Sequence, residues 1–341
     1  MLTAALLLGA LACAPSPSVR DAALAPLEAR LEARLEARIR TLATAAGGDV
    51  GAMVWHLESG RRVGLDARGA YPMQSVYKLP IAMAVLRQVD RGALRLDDTV
   101  RMTRTDVRGA YSPLSEAHPR GGHTLTVREL VAATIGSDNA ASDLALRLVG
   151  GPAAVTAMLR TLGVPGVRVD RGEGELQRDF MGATFPSADA WSLATLRASV
   201  LAVPPAARRA AFLRYLADPR DTATPEGMAV LLCIVQRGDA LSPASSALLQ
   251  QLLRTVSPKA ARLAAQLPAR TPVAQKAGTS GALDGVTAAR NAVGLVTLPG
   301  DGGHVAVAVF VRASPRDDAA VDAAIAGIAR AAYDAWRPTP R

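Results

Sequence analysis

The run HVAVAVFVRAS, residues 304–314, is apolar through most of its length and rich in β-branched valine, and it reads as a β-strand near the end of the chain. Two more strand signals precede it, TPVAQKAGTSGALDG (271–285) and AARNAVGLVTLPGDGG (288–303), with Gly, Asp and Pro marking turns between them. The next stretch, DDAAVDAAIAGIARAAYDAW (317–336), has the periodicity of a long amphipathic helix. At the other end, VGAMVWHLESGRRVGLDA (50–67) holds apolar runs broken by ESGRR, a hairpin signal. Before it, LEARLEARLEARIR (27–40) carries Leu27, Leu31 and Leu35 on a slowly rotating stripe, with Glu and Arg neighbours supporting a docking helix from the solvent side. The middle of the chain, about 75–265, is mainly helical in pattern. Strands at both ends with helices between predict an α+β fold. One antiparallel sheet is built from both chain ends and flanked by the terminal helices, and an all-helical lobe is inserted into it. The division is 19–72 and 270–341 for the sheet lobe and 73–269 for the helical lobe, with a cleft where they meet.

The 341 residues suffice for a sizeable core, and with 50% hydrophobic but only 4% aromatic residues that core is built from Ala, Leu and Val. The net charge of +9 comes from Arg interspersed with Asp and Glu, without stacking aromatics or a recognition motif, which argues against nucleic acid and for attraction to small anions. MLTAALLLGALACAPSPS (1–18) reads as an export signal and linker, too short for a permanent membrane span. The ALAC sequence ending at Cys13 resembles a bacterial lipobox; cleavage near Ala12 without lipid is the alternative. Cys233, within the apolar helical run MAVLLCIVQRG, is expected to pack rather than pair.

Three short motifs carry the chemistry. In YPMQSVYKLPIAMAVL (71–86), Ser75 and Lys78 stand three residues apart, so one helical face brings an amine near a hydroxyl that needs a base to become a nucleophile. Alone, the pair reads more readily as an N-cap and a lysine reaching for water. In TIGSDNAASDLALRLVGG (134–151), Ser137, Asp138 and Asn139 lie between two helical runs, which for an isolated triplet is an ordinary cap. In QKAGTSG (275–281), Lys276 sits on a strand and is followed by small residues that let a ligand approach the backbone.

In this order, S-x-x-K, S-D-N and K-x-G resemble the motif set of the class A serine β-lactamases. DRGEGELQRD (170–179) resembles that family's Ω-loop, with Arg171, Glu173 and Leu176 at the matching spacing and Asp179 as a partner for Arg171. The similarity runs from about residue 51 to 336. The resemblance implies that Ser75 forms an acyl-enzyme with a lactam carbonyl, and that Lys78 or Glu173 acts as the acylation base. It implies that Ser137 relays a proton to the leaving nitrogen, and that Glu173 activates the deacylating water. Asn139 would hold Lys78 and a substrate amide, and the backbone N–H groups of Ser75 and Thr279 would form an oxyanion hole. Lys276, Thr279, Tyr111 and Gln177 would contact substrate or its water. No cofactor or metal is implied.

The chain departs from the family pattern at three places. Ala277 replaces the hydroxyl that helps bind the substrate carboxylate, leaving Thr279, Ser280 and a cation, with Arg290 as candidate, to do so. Gln177 stands where many relatives have asparagine. A segment at about 180–217 holds two amphipathic patterns, ADAWSLATLRASVLAV and AARRAAFLRYLA, expected to wall or cover the cleft. The resulting expectation is a secreted or periplasmic monomeric serine β-lactamase acting on a small molecule. Its rivals are a D,D-peptidase-like enzyme and a sensor that stays acylated. The four histidines have no metal-binding spacing and no G-x-S-x-G elbow occurs, which disfavours metallo- and α/β-hydrolases.

Overall fold

The computed structural model describes residues 19–338; the apolar leader and Cys13 lie outside the described residues. The sheet runs in the order Arg62–Leu65, Asp49–His56, His304–Ser314, Val286–Thr297, Val273–Thr279, antiparallel throughout, with Ala282–Leu283 added alongside Val286–Thr297. The two chain ends therefore meet as neighbouring strands, with Val54 opposite Val307 and Val293 opposite Ala308.

Period-two alternation explains why the run at 304–314 is apolar at both parities. Val305, Val307, Val309 and Val311 share a core with Leu35 and Ile39 of helix Val19–Ala46 and with Ile325 and Ile328 of helix Asp318–Trp336. Ala306, Ala308 and Phe310 point the other way, into the core of the helical lobe. Each face has its own cover, so neither can be polar.

The helical lobe is organised around Lys78–Asp90, whose residues from Lys78 to Leu86 are all buried. Helices Val127–Ile135, Asn139–Leu148 and Pro152–Thr161 surround it. The lobe also carries a ribbon of Thr99–Arg101 with Thr124–Thr126, whose strands are too short for an alternating pattern to register in the sequence. Tyr71–Pro72 pairs with Thr222–Ala223 beside the segment that leads into Ser75. Cys233 is buried on helix Pro225–Arg237 and unpaired. Among the described residues no helix is long and apolar enough to cross a membrane.

The two patterns at 188–217 form helices Leu193–Leu201 and Pro205–Leu216. The first docks on the loop around residues 107–119: Trp191 Nε1 donates to the Val107 carbonyl at 3.1 Å, and the Leu193 N–H donates to the Pro119 carbonyl at 3.2 Å. The second packs against helix Glu173–Met181, where Phe180 meets Tyr215 edge-on with centroids 4.9 Å apart and Phe212 at 6.0 Å. Neither helix lines the central cavity. Instead of walling or covering the cleft, they brace from outside the elements that do, because their apolar faces meet those elements' backs.

Arg171 ties this segment off. Its buried guanidinium donates to Asp221 at 2.6 Å, to Asp179 at 2.9 Å and to Asp218 at 3.0 Å, while Arg220 bridges Asp179 and Asp218. Burial alone would push the Asp179 and Asp218 carboxyls up. Hydrogen bonds and charge from Arg171 and Arg220 outweigh it and hold both below the usual carboxylate range. A depressed folded-state value stabilises the fold above the unfolded pKa of about 3.9, and that contribution disappears as pH falls through the lower folded value. Thermal unfolding followed from pH 6 to 3 should therefore show a steep loss of stability below about pH 4. Asp218→Asn should be less stable at pH 6 and flatter across this window.

Candidate active site

A cavity of about 810 Å³ opens where the helical lobe meets the sheet edge, and Ser75, Tyr111, Ser137, Asn139, Glu173, Gln177, Lys276 and Thr279 all line it. Ser75 lies on a 3₁₀ turn, Gln74–Tyr77, that leads directly into helix Lys78–Asp90. A 3₁₀ turn has three residues per turn, so positions 75 and 78 are stacked more nearly than on an α-helix. Ser75 is not a cap: the capping positions of the turn and helix are Met73 and Tyr77. The turn is held from three sides. Gln74, at φ +49°, donates to the Tyr215 hydroxyl, and Asn291 Nδ2 donates to the carbonyls of Pro72 and Met73 at 2.8 and 3.0 Å. Gly278 on the edge strand completes the seat, since a Cβ there would fall 2.4 Å from the Met73 carbonyl oxygen.

Lys78 is fully buried, and its Nζ faces three acceptors: the Ser137 carbonyl at 2.9 Å, Asn139 Oδ1 at 2.5 Å and Glu173 Oε1 at 2.9 Å. An ammonium has three protons to donate, so this shell is complete. Removing one partner of such a buried ion pair typically costs about 3–5 kcal/mol, so Lys78 and Glu173 hold each other in place.

Ser137 adopts φ +77°, a left-handed conformation unfavourable for a side-chain-bearing residue. The strain turns its carbonyl to Lys78 and its hydroxyl to Lys276, whose Nζ donates to Ser137 Oγ at 2.5 Å. Asp138 anchors the loop: it caps helix Asn139–Leu148 through Ala141 N–H and accepts from Ser112 Oγ and Leu114 N–H, each at 2.8 Å. The Asn139 N–H donates to the Tyr111 carbonyl, so the same loop sets out Tyr111, whose ring stands exposed at the cavity mouth. Lys276 is buried on strand Val273–Thr279; burial first, and then the charge of Lys78, push it well below the usual lysine value.

Glu173 begins helix Glu173–Met181, where exposed N–H dipoles favour a carboxylate. Asp143, six residues beyond Ser137, accepts from the N–H groups of Glu173 at 2.6 Å and Gly174 at 3.0 Å and is itself held by Arg108 Nε at 2.5 Å. Gln177 is one turn further along and faces the same cavity, as do Leu176, Phe180 and Met181.

The carboxylate end differs from the sequence expectation. Arg290 is committed to Asp318 and Asp322, both at 2.6 Å, and is absent from the cavity lining. The cation that does reach the cavity is Arg262, whose Nη2 donates to Thr279 Oγ1 at 2.6 Å and whose Nη1 donates to the Gly278 and Asn291 carbonyls. Its Nε faces Asp322 at 2.7 Å, so a single carboxylate orients both arginines. The Ser280 hydroxyl is occupied within its turn by Ala289 N–H and the Gly281 carbonyl. Arg262 and Asp143 escaped the sequence reading. The one available signal for Arg262 was a charged residue set among Ala260, Ala261 and Leu263 just ahead of the lysine strand.

A serine on a strained turn, two buried lysines, a bridging hydroxyl and a carboxylate over the same cavity define an acyl-serine hydrolase. Residues 34–336 match the family described as "Beta-lactamase enzyme family". The extended-spectrum β-lactamase PER-1 of Pseudomonas aeruginosa is 32% identical over 83% of this chain and 81% of its own length. The crystal structure of a β-lactamase from Chitinophaga pinensis DSM 2588 superposes with a TM-score of 0.73 at 32% identity, covering 89% of this chain and 99% of that one. An ancestral class A β-lactamase (GNCA) gives a TM-score of 0.70 at 34% identity, covering 88% and 99%. The chain belongs to the β-lactamase enzyme family and has the fold of its class A members.

Proposed function

We propose that this β-lactam hydrolase opens the lactam amide on Ser75 and frees itself through Glu173. Ser75 Oγ attacks the carbonyl carbon and its proton passes to a base, giving a tetrahedral oxyanion held by the Ser75 and Thr279 backbone N–H groups. Lys78 Nζ and Glu173 Oε1 are 2.9 Å apart, close enough to exchange a proton. The base is Glu173, or Lys78 after handing a proton to Glu173. As the C–N bond breaks, Ser137 gives its hydroxyl proton to the lactam nitrogen and is reprotonated by Lys276, which is already bonded to it; the proton held by Glu173 then replaces the one Lys276 gave, so Glu173 is a carboxylate again. In the second half Glu173 takes a proton from water as the oxygen attacks the acyl ester, and Ser75 Oγ leaves and takes that proton back from Glu173.

The observation that carries this reading is Glu173 Oε1 against Lys78 Nζ in the cavity that Ser75 lines. A trap or sensor has no need of a carboxylate there, whereas turnover does. Excess chromogenic cephalosporin should give sustained hydrolysis, with no cleavage of a D-Ala-D-Ala peptide. A single stoichiometric burst would reassign the protein as a sensor or trap, and peptide cleavage as a peptidase. The substrate carboxylate is assigned to Arg262, Thr279 and Lys276 in place of the hydroxyl that Ala277 lacks. Arg262→Gln should raise KM for carboxylate-bearing lactams roughly 10- to 100-fold, the range of a charge-assisted hydrogen bond, with a smaller change in kcat. An unchanged KM would remove Arg262 from the anchor.

The apolar leader supports export to the periplasm or beyond, with Cys13 as the site of any lipid, and the protein is assigned as a monomer. The mass of the mature N-terminus and the solution mass test these two assignments.

A further inference from the structure

Tyr77 follows Ser75 by two residues, immediately before the helix that begins at Lys78; its side chain is fully buried, and its hydroxyl closes no hydrogen bond of good geometry among the described residues. A buried hydroxyl without a partner is costly to keep, and phenylalanine would fill the same space without that cost. The surroundings of the hydroxyl show what it serves. Glu173, Asp143 and Asp221 all act on it through their charge, and Glu173 is the one whose side chain also meets the hydroxyl. Asp143 already accepts three bonds, from the N–H groups of Glu173 and Gly174 and from Arg108 Nε. Asp221 accepts three as well, from the N–H groups of Asp170 and Arg171 and from Arg171 Nε. Glu173 is the least committed of the three, with Lys78 against Oε1.

We propose that Tyr77 is a positioning residue for Glu173, its hydroxyl donating to the second carboxylate oxygen from beneath the cavity floor while Lys78 holds the first. The proposal rests on the assignment of Glu173 as the deacylating base. Burial first, and then the three carboxylates, push the Tyr77 hydroxyl well above its usual value, so it keeps its proton and acts as a fixed donor. A carboxylate gripped at both oxygens cannot swing away from the acyl-ester, and each donated proton favours its anionic form, the form a base requires. The other charged or titratable groups around this pair are Lys78, Asp143 with Arg108, Asp221 with Arg171, Lys276 on the edge strand, and Tyr215 on the bracing helix.

Tyr77→Phe removes one oxygen and leaves the packing intact. Rapid-mixing kinetics with a slowly released cephalosporin should show acylation within about twofold of the parent and deacylation slower by roughly tenfold or more, the worth of a hydrogen bond to a charged group. The acid limb of the deacylation profile should move to higher pH, because the anion has lost a donor. Glu173→Gln is measured alongside. If Glu173→Gln deacylates like the parent, the assignment of Glu173 itself fails. If Glu173→Gln stalls while Tyr77→Phe matches the parent in both rate and limb, the Tyr77 proposal alone is overturned. A change in melting temperature with unaltered kinetics would make Tyr77 purely a packing residue and would equally overturn it.

Discussion

Ser75→Ala will not be labelled by a penicillin and will lose at least roughly 10⁴-fold in kcat/KM, the scale on which removal of a serine nucleophile leaves only binding and the oxyanion hole. The expectation is this large because nothing else in the cavity can replace the hydroxyl. Ser137 meets both lysines, but with its carbonyl to Lys78 and its Oγ held by Lys276, and its backbone is locked at φ +77°. The seat of the turn does not depend on the lost oxygen, since Asn291 and the close approach of Gly278 fix it through the Pro72 and Met73 carbonyls, and the Gln74 side chain is held by Tyr215. The variant should therefore unfold near the parent temperature and still bind intact lactam. Mass spectrometry after exposure to penicillin decides the matter, and an adduct of unchanged stoichiometry would displace Ser75 from its role.

Glu173→Gln should still be labelled but should release its acyl group about 10²- to 10⁴-fold more slowly, the usual contribution of a positioned general base. The amide keeps the size of the side chain and can still accept from Lys78 through its oxygen, so the cavity survives while the basic group does not. Accumulated acyl-enzyme, seen as a persistent mass increment, is the expected signature. Release at the parent rate would take the base role away from Glu173. Lys78 also loses its counter-charge in this variant, so acylation should slow as well. The ratio of the two effects reports how far Glu173 serves the first half of the reaction.

The fold was readable because its decisive signals are local and periodic. Valines at 305, 307, 309 and 311 and smaller apolar residues between them announce a strand, and the hairpin at 50–67 announces its neighbour across the whole length of the chain. The candidate site was legible for a different reason: Ser75, Lys78, Ser137 and Lys276 fall in short patterns whose chemistry constrains spacing, and Ser75, Ser137 and Lys276 line one cavity while Lys78 lies behind it against Ser137. What remained hidden depends on contacts between distant segments. Arg290 and Arg262 are both plausible cations in one dimension, and only the position of Asp322 on the terminal helix separates the one it binds at the sheet from the one that also reaches Thr279. The hold of Asp143 on the Glu173 backbone spans a helix and a loop, and no local pattern marks it. The helices at 193–216 were legible as helices but not as buttresses, because the face they bury is shown only by Phe180 and the loop near residue 107.

The grip of one guanidinium on Asp179 and Asp218 means that the intervening stretch departs and rejoins at a single point. Length can therefore change in the connection between the two helices at little cost, since doubling a flexible loop carries an entropic penalty of only about 0.6 kcal/mol. The helices themselves are not free to drift, because Tyr215 reaches back to Gln74 beside the nucleophile, so this stretch acts on the reacting groups from behind and not by touching substrate.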